Sequence, residues 1–415
     1  MKVIICICGL LLFTAFRAGC EDSDPAIDTY SKILVSSTVV EALGKLGDAS
    51  VRDVLIKALE SDQFFIRVSA IKALGAIKDK GSIFLLKEQL ADKNYLVRIA
   101  AAVALIDLGD KDAEKLLFLF LKDQDSAVRA STVNQVGRLG EHFLVILHEM
   151  LLKETDDLVR ISLIEQLGGN GYKPALSYVR QALNDKNAKI RRAACTAIGS
   201  FDDRESIPQL FERLDDESNA VRATATMVLS QFGEALEIKI PSLYPEEKQA
   251  EETDSLLIAA FYIAAANLGK LEFLPVLLEE IIAPGNPMII RKEAARALAI
   301  LKPHISRIIK DAVGEAEKLH DISLLGNLQF EYQVNGKSLV LIFINAIKDK
   351  QSPLYQDAPL VLNELKDERA LPALREALLQ DDDPDMVAAA AYALGALGDK
   401  NAIRYLIEVF KKYGI

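Results

Sequence analysis

Asp185-Lys186-Asn187-Ala188-Lys189-Ile190-Arg191-Arg192-Ala193-Ala194-Cys195-Thr196-Ala197-Ile198-Gly199 is the stretch on which the fold turns. An acid stands six residues before an Arg, a β-branched residue precedes that Arg, and a Gly closes an apolar run. The arrangement recurs at a fixed interval. Arg67, Arg98, Arg129, Arg160, Arg191 and Arg222 are each 31 residues apart and follow Ile66, Val97, Val128, Val159, Ile190 and Val221. In the same phase Leu59, Leu90, Leu121, Leu152, Leu183 and Leu214 repeat without substitution, and Gly44, Gly75, Gly137, Gly168 and Gly199 mark a further row. A fixed period of this length is the mark of a repeat architecture, in which one core continues from repeat to repeat.

Within a repeat the apolar spacing is helical: Ile83, Leu86 and Leu90 for a first helix, then Val97, Ala101, Leu105 and Leu108 for a second. The turn between them holds Asp92, Asp123, Glu154, Asp185 or Asp216. Leu-Gly or a variant ends the second helix, where Gly is expected to take the left-handed conformation that closes it. These residues resemble the short bacterial HEAT-like repeats, also seen in phycobilisome lyase-type proteins, with an Asp in the turn and Val-Arg early in the second helix. The resemblance implies an all-α, right-handed solenoid of about twelve two-helix repeats. Ankyrin and tetratricopeptide signatures are absent.

Three segments follow. Residues 1–19 read as a signal, 20–233 as the regular repeats, and 234–415 as a looser continuation. That continuation is traced through Asn267-Leu268-Gly269, Ala297-Leu298-Ala299, Val361-Leu362-Asn363 and Ala393-Leu394-Gly395, with Asn401 to Lys412 as a last helix covering the open end. Residues 240–252, with Pro241 and Pro245, and residues 327–337 break the pattern and read as insertions or hinges.

Lys2 is followed by a 14-residue apolar run from Val3 to Phe16, too short to span a bilayer and suited to a secretion signal. It leads to Ala18-Gly19-Cys20 and then Glu21-Asp22-Ser23-Asp24, which resembles the lipobox of bacterial lipoproteins. Arg17 departs from the aliphatic residue usual there. The resemblance implies cleavage before Cys20, lipid attachment to it, and a membrane-anchored protein of the bacterial cell envelope facing the periplasm or the exterior; the alternative is a soluble secreted protein.

The formal charge of −11 argues against phosphate-backbone binding, and no run of Lys or Arg exceeds two, so no nucleic-acid partner is expected. The four histidines have no metal-ligand spacing, and Cys195, set among small apolar residues, reads as a buried hydrophobe and not a nucleophile. The pair His148-Glu149 is reminiscent of HEAT-like di-iron hydroxylases, but one pair makes no metal site, and His148 falls in a row otherwise filled by Leu55, Leu86, Leu117, Val179 and Leu210. Neither a metal nor another cofactor is expected.

The acid–Arg rows (Asp92/Arg98, Asp123/Arg129, Glu154/Arg160, Asp185/Arg191, Asp216/Arg222) read as a structural ladder that fixes how repeats stack. Positions two and five after the Arg form a small, near-neutral strip: Ser69/Lys72, Ala100/Val103, Ser131/Asn134, Ser162/Glu165, Ala193/Thr196 and Thr224/Met227. In HEAT-like solenoids such a strip lines the concave side, so a protein or peptide partner is expected there. The expected function is a non-catalytic, envelope-anchored scaffold; the alternative is a HEAT-like enzyme or cofactor lyase with its site in the irregular segments.

Overall fold

The turn between the two helices of a repeat is built by its own side chains. Asp92 accepts from the amide of Asn94, and Asn94 accepts in turn from that of Leu96, so the first free N–H groups of the second helix are satisfied before it starts. Asp123/Asp125 and Asp185/Asn187 repeat the device. In the computed structural model, which describes residues 25–232, 252–283, 286–318, 333–334 and 337–413, these turns separate short antiparallel helices throughout.

The helices gather into two units, Met1–Leu163 with Glu368–Ile415, and Ile164–Asp367. In the first unit the sequence runs α1 (Pro25–Leu46), α2 (Arg52–Ala58), α3 (Phe64–Ala76), α4 (Ile83–Glu88), α5 (Tyr95–Asp107), α6 (Ala113–Phe120), α7 (Ser126–Val136) and α8 (Glu141–Leu151), then the start of α9 (Asp157–Gly169). The second unit continues with α10 (Leu176–Ala182), α11 (Ala188–Phe201), α12 (Ile207–Glu212), α13 (Asn219–Gln231), α14 (Glu252–Asn267), α15 (Leu274–Ile282), α16 (Met288–Lys318), α17 (Leu339–Ile347) and α18 (Ala358–Leu365). The chain then returns to the first unit with α19 (Leu371–Gln380), α20 (Pro384–Ala396) and α21 (Ile403–Tyr413). The repeats are thus all-α solenoid repeats. A two-residue antiparallel pair, Gln333↔Ser338 and Val334↔Lys337, occupies part of the second irregular segment. Cys20, and most of residues 240–252 and 327–337, lie outside the described residues.

Second helices stack on second helices: α1 on α3, α3 on α5, and α5 on α7 in the first unit, and α11 on α13, α13 on α14, α14 on α16 and α16 on α18 in the second. The core between them and the first helices is the row read from sequence, with Leu55, Leu86, Leu117, Val179 and Leu210 all fully buried. His148 in that row is half-buried.

The glycine row has a different cause from the one expected. Gly44, Gly75, Gly168 and Gly395 are helical, and a Cβ on them would lie 2.7, 3.2, 2.4 and 2.8 Å from the Cβ of Ala73, Ala104, Ala197 and Ala42. They let neighbouring second helices touch. The left-handed turn falls three residues later, at Gly47, Lys78, Gly109, Gly140, Gly171 and Asp202, again every 31 residues.

The last helix also differs from its expected role. α21 packs along α1, and α1 is itself stacked on α20, with Gly395 meeting Ala42 as Gly44 meets Ala73. Asp399 accepts from the amide of Asn401 just as Asp79 accepts from that of Gly81 before α4. So α21 is a first helix and α1 its second helix: one repeat assembled from the two ends of the sequence. Leu406, Val409 and Phe410 are buried there. No open end is covered by α21, because its apolar face finds α1.

Candidate binding face and the repeat ladders

The ladder Arg residues make two kinds of bond. Through Nη1 five of them donate to backbone carbonyls of their own turn: Arg67 to Ser61 and Asp62, Arg98 to Asp92 and Lys93, Arg129 to Asp123 and Gln124, Arg191 to Asp185 and Lys186, Arg222 to Asp216 and Glu217. Through Nε and Nη2 three of them also fork onto the acid of the next repeat. Arg67 holds Asp92 at 2.8 and 3.0 Å, Arg129 holds Glu154 at 3.0 and 3.1 Å, and Arg191 holds Asp216 at 2.8 Å twice. Of the two partners expected for the Arg, the acid of its own turn and that of the next repeat, Arg129 reaches Asp123 only at its carbonyl and forms its ion pair with Glu154. Six residues of helix and turn bring the guanidinium to the turn's carbonyls. Arg160 pairs with Asp157 at 3.0 Å.

Burial raises the carboxyl pKa of Asp92, Glu154 and Asp216, and the bonds from Arg67, Arg129 and Arg191 with the turn amides outweigh it, leaving all three below the ordinary range. Beyond the regular repeats, the buried Arg291 on α16 follows Ile290 and belongs to the same series. It donates to the Ala283 and Pro353 carbonyls and to Asp357.

A second ladder joins the first, beyond the one expected from the Arg row. Arg52–Asp79 (2.9 Å), Lys87–Asp110 (2.7 Å), Arg180–Asp203 (2.6 Å) and Arg375–Asp399 (2.6 Å) tie a first helix to the turn after its repeat. Its signal is the row Asp48, Asp79, Asp110, Asp203, on the same 31-residue period, with Glu141 and Tyr172 between. Arg180 holds the Asp203 carboxyl below its usual range.

The strip expected to face a partner does not form one continuous exposed surface. Ala100, Val103, Ser162, Ala193 and Thr224 are buried, Ser69, Ser131, Asn134, Glu165 and Met227 are half-buried, and Lys72 and Thr196 are exposed. The residues two after the Arg are small because neighbouring second helices close upon them. Exposure on this face lies further along, nine after the Arg, at Ala76, Asp107, Arg138, Gly169, Ser200 and Gln231. In the first unit Arg138 bonds Asp107 at 2.7 Å across two repeats. The buried Oδ1 of Asn134, one turn before Arg138, has no hydrogen-bond partner among the described residues.

Cys195 is fully buried, and burial pushes its thiol up to about 12, which keeps it protonated. Among the described residues no cluster of His, Cys, Asp and Glu is arranged to hold a metal, and no helix is long and apolar enough to cross a membrane.

The family model for HEAT repeats matches residues 31–106, 84–168, 176–244 and 341–413, well over half the sequence, and the chain belongs to the HEAT-repeat family. No curated protein matches it. Among solved structures, YibA of Escherichia coli is similar at 21% identity over 60% of this chain and 92% of that one, with a TM-score of 0.37. Yeast importin-beta, Kap95p, is similar at 13% identity over 97% of this chain and 64% of its own, with a TM-score of 0.35. Kap121p bound to Ste12p is similar at 15% identity over 82% and 44%, with a TM-score of 0.33.

Proposed function

We propose that this chain is a non-catalytic scaffold of the bacterial cell envelope, anchored through lipid on Cys20, that binds an extended segment of a partner protein across the second-helix face of its first unit. The observation that carries the binding reading is the line of exposed positions nine after each Arg, which in the first unit includes the Asp107–Arg138 pair. The mixed charges of Lys72, Asp107 and Arg138 on this face suit a polypeptide better than phosphate. The anchoring reading rests on the apolar run that ends in Ala18-Gly19-Cys20.

A photoreactive side chain placed at Lys72 or Arg138, activated in intact envelopes, should capture one discrete protein, whereas the same group at the outward Glu88 should not. Capture at Glu88 alone would move the binding face to the first helices. Mass spectrometry of the native chain should find Cys20 at the N-terminus carrying acyl groups.

A further inference from the structure

Six of the seven large apolar side chains that stand exposed among the described residues fall between residues 65 and 158. Four of them share one edge of the first unit, the edge made by the turns that join first to second helices. Phe65 (53% exposed) and Leu158 (52%) are the second residues of α3 and α9, Leu119 (64%) is next to last in α6, and Leu152 (60%) directly follows α8. Phe84 and Val145 are set away from it, near the start and middle of their helices.

The start of α1 belongs to that same edge. α1 is a second helix running in the sense of α3, since its Gly44 meets Ala73 as Gly75 meets Ala104. Asp48, just beyond its end, feels the charge of Lys400, just before α21 begins, which sets the opposite end of α1 at the edge of the joining turns. Counting 31 residues back from Phe64 places the regular start of α1 at residue 33, yet the helix begins at Pro25. Eight extra residues project it about 12 Å past the turns. Cys20 is five residues further, a span of at most about 17 Å.

We infer that this edge of the first unit rests on the bilayer, with Phe65, Leu119, Leu152 and Leu158 entering the interfacial layer. The inference rests on the anchoring reading above. A lipid surface fits the observations better than a protein partner does. The apolar side chains come from three turns, two of them from the turn between α8 and α9, and exposed Lys93, Lys122 and Lys153 stand among them, as side chains that reach headgroups do. The helix that follows the apolar run and its Cys in sequence also begins on this side. Acyl groups on Cys20 would hold the chain to the bilayer by one point, and apolar contacts of this kind would fix which face of the first unit points away from the membrane.

The sequence has no Trp, so a single one reports its own surroundings. Full-length chain carrying Phe65→Trp, Leu158→Trp or, on the opposite turn edge, Lys111→Trp is reconstituted into phosphatidylcholine vesicles with brominated acyl chains, after circular dichroism shows that all three fold. Flotation reports anchoring, and quenching reports the edge. Emission at positions 65 and 158 should be quenched several-fold more strongly than at 111. Flotation with equal, weak quenching at all three positions overturns the inference and leaves the anchor standing. Quenching at 65 and 158 in a Cys20→Ala chain supports the edge and overturns anchoring as its cause. Protection of positions 65 and 158 only by an envelope protein, with no effect of brominated lipid, assigns the edge to that protein and overturns the inference.

Discussion

Arg191 holds Asp216 with both arms of its guanidinium, at 2.8 Å each, in a place where both side chains are almost wholly withdrawn from water, 7% and 4% exposed. The two residues belong to successive repeats, so the bond sets the distance between them. Removing the cation strands a buried carboxylate. Arg191→Leu should lower stability by about 3–5 kcal/mol. Arg129→Leu, whose partner Glu154 is somewhat more open, should lose about 1–3 kcal/mol. Urea unfolding of the two variants orders them; equal midpoints for both and for the parent chain would mean the ladder holds nothing.

Acid should loosen the same rungs. The Asp92, Glu154 and Asp216 carboxyls sit below their ordinary range when folded, so the stability they contribute is fully present above the unfolded value near 4 and drains away as pH falls through the lower folded values. Asp357, Glu364 and Glu165 are shifted upward by burial and act in the opposite sense. The urea midpoint should therefore fall below about pH 4, and Asp216→Asn should flatten that fall. A midpoint as steep in the variant as in the parent would exclude Asp216 as a source.

Close approach of helices, not turn freedom, is what Gly168 supplies. Gly168→Ala would put a methyl 2.4 Å from the Ala197 Cβ and should cost about 1–3 kcal/mol through a forced shift of α11. Gly47→Ala meets no atom within 4 Å, and its cost of about 1–2 kcal/mol comes from the left-handed backbone at φ +67° alone. Enlarging each alanine to leucine separates them: further loss at 168 from overpacking, much less at 47, where no atom lies within 4 Å.

The repeat shared by α1 and α21 predicts coupling between the first and last helices. Phe410→Ala should destabilise by about 3–5 kcal/mol and raise amide exchange across residues 33–46 as well as in α21 itself. Exchange confined to residues 403–413 would contradict the pairing.

The period was legible because it is carried by residues that cannot be replaced cheaply: an Arg whose fork spans two repeats, and a Gly against which an Ala closes. The second ladder was equally periodic but escaped notice, since its cation changes position and type between Arg52, Lys87 and Arg180 while only the acid keeps its place. Pairing of α1 with α21 has no local signal, because nothing in either helix distinguishes an open end from one that meets the other. Burial along the strip had no signal for a related reason. Small residues serve both helix contact and ligand approach, and Ala100 or Ser162 reads the same in either role until burial is known.

The central claim is that the second-helix face of the first unit binds a protein segment around the exposed Asp107–Arg138 pair. Affinity of the purified captured partner for chains carrying Asn134→Leu, Arg138→Glu or the outward Glu88→Trp tests it most directly, with circular dichroism to confirm folding. Altering the face at either position should weaken binding roughly tenfold or more, while Glu88→Trp leaves it unchanged. Unaltered affinity in Asn134→Leu and Arg138→Glu together with loss in Glu88→Trp would contradict it.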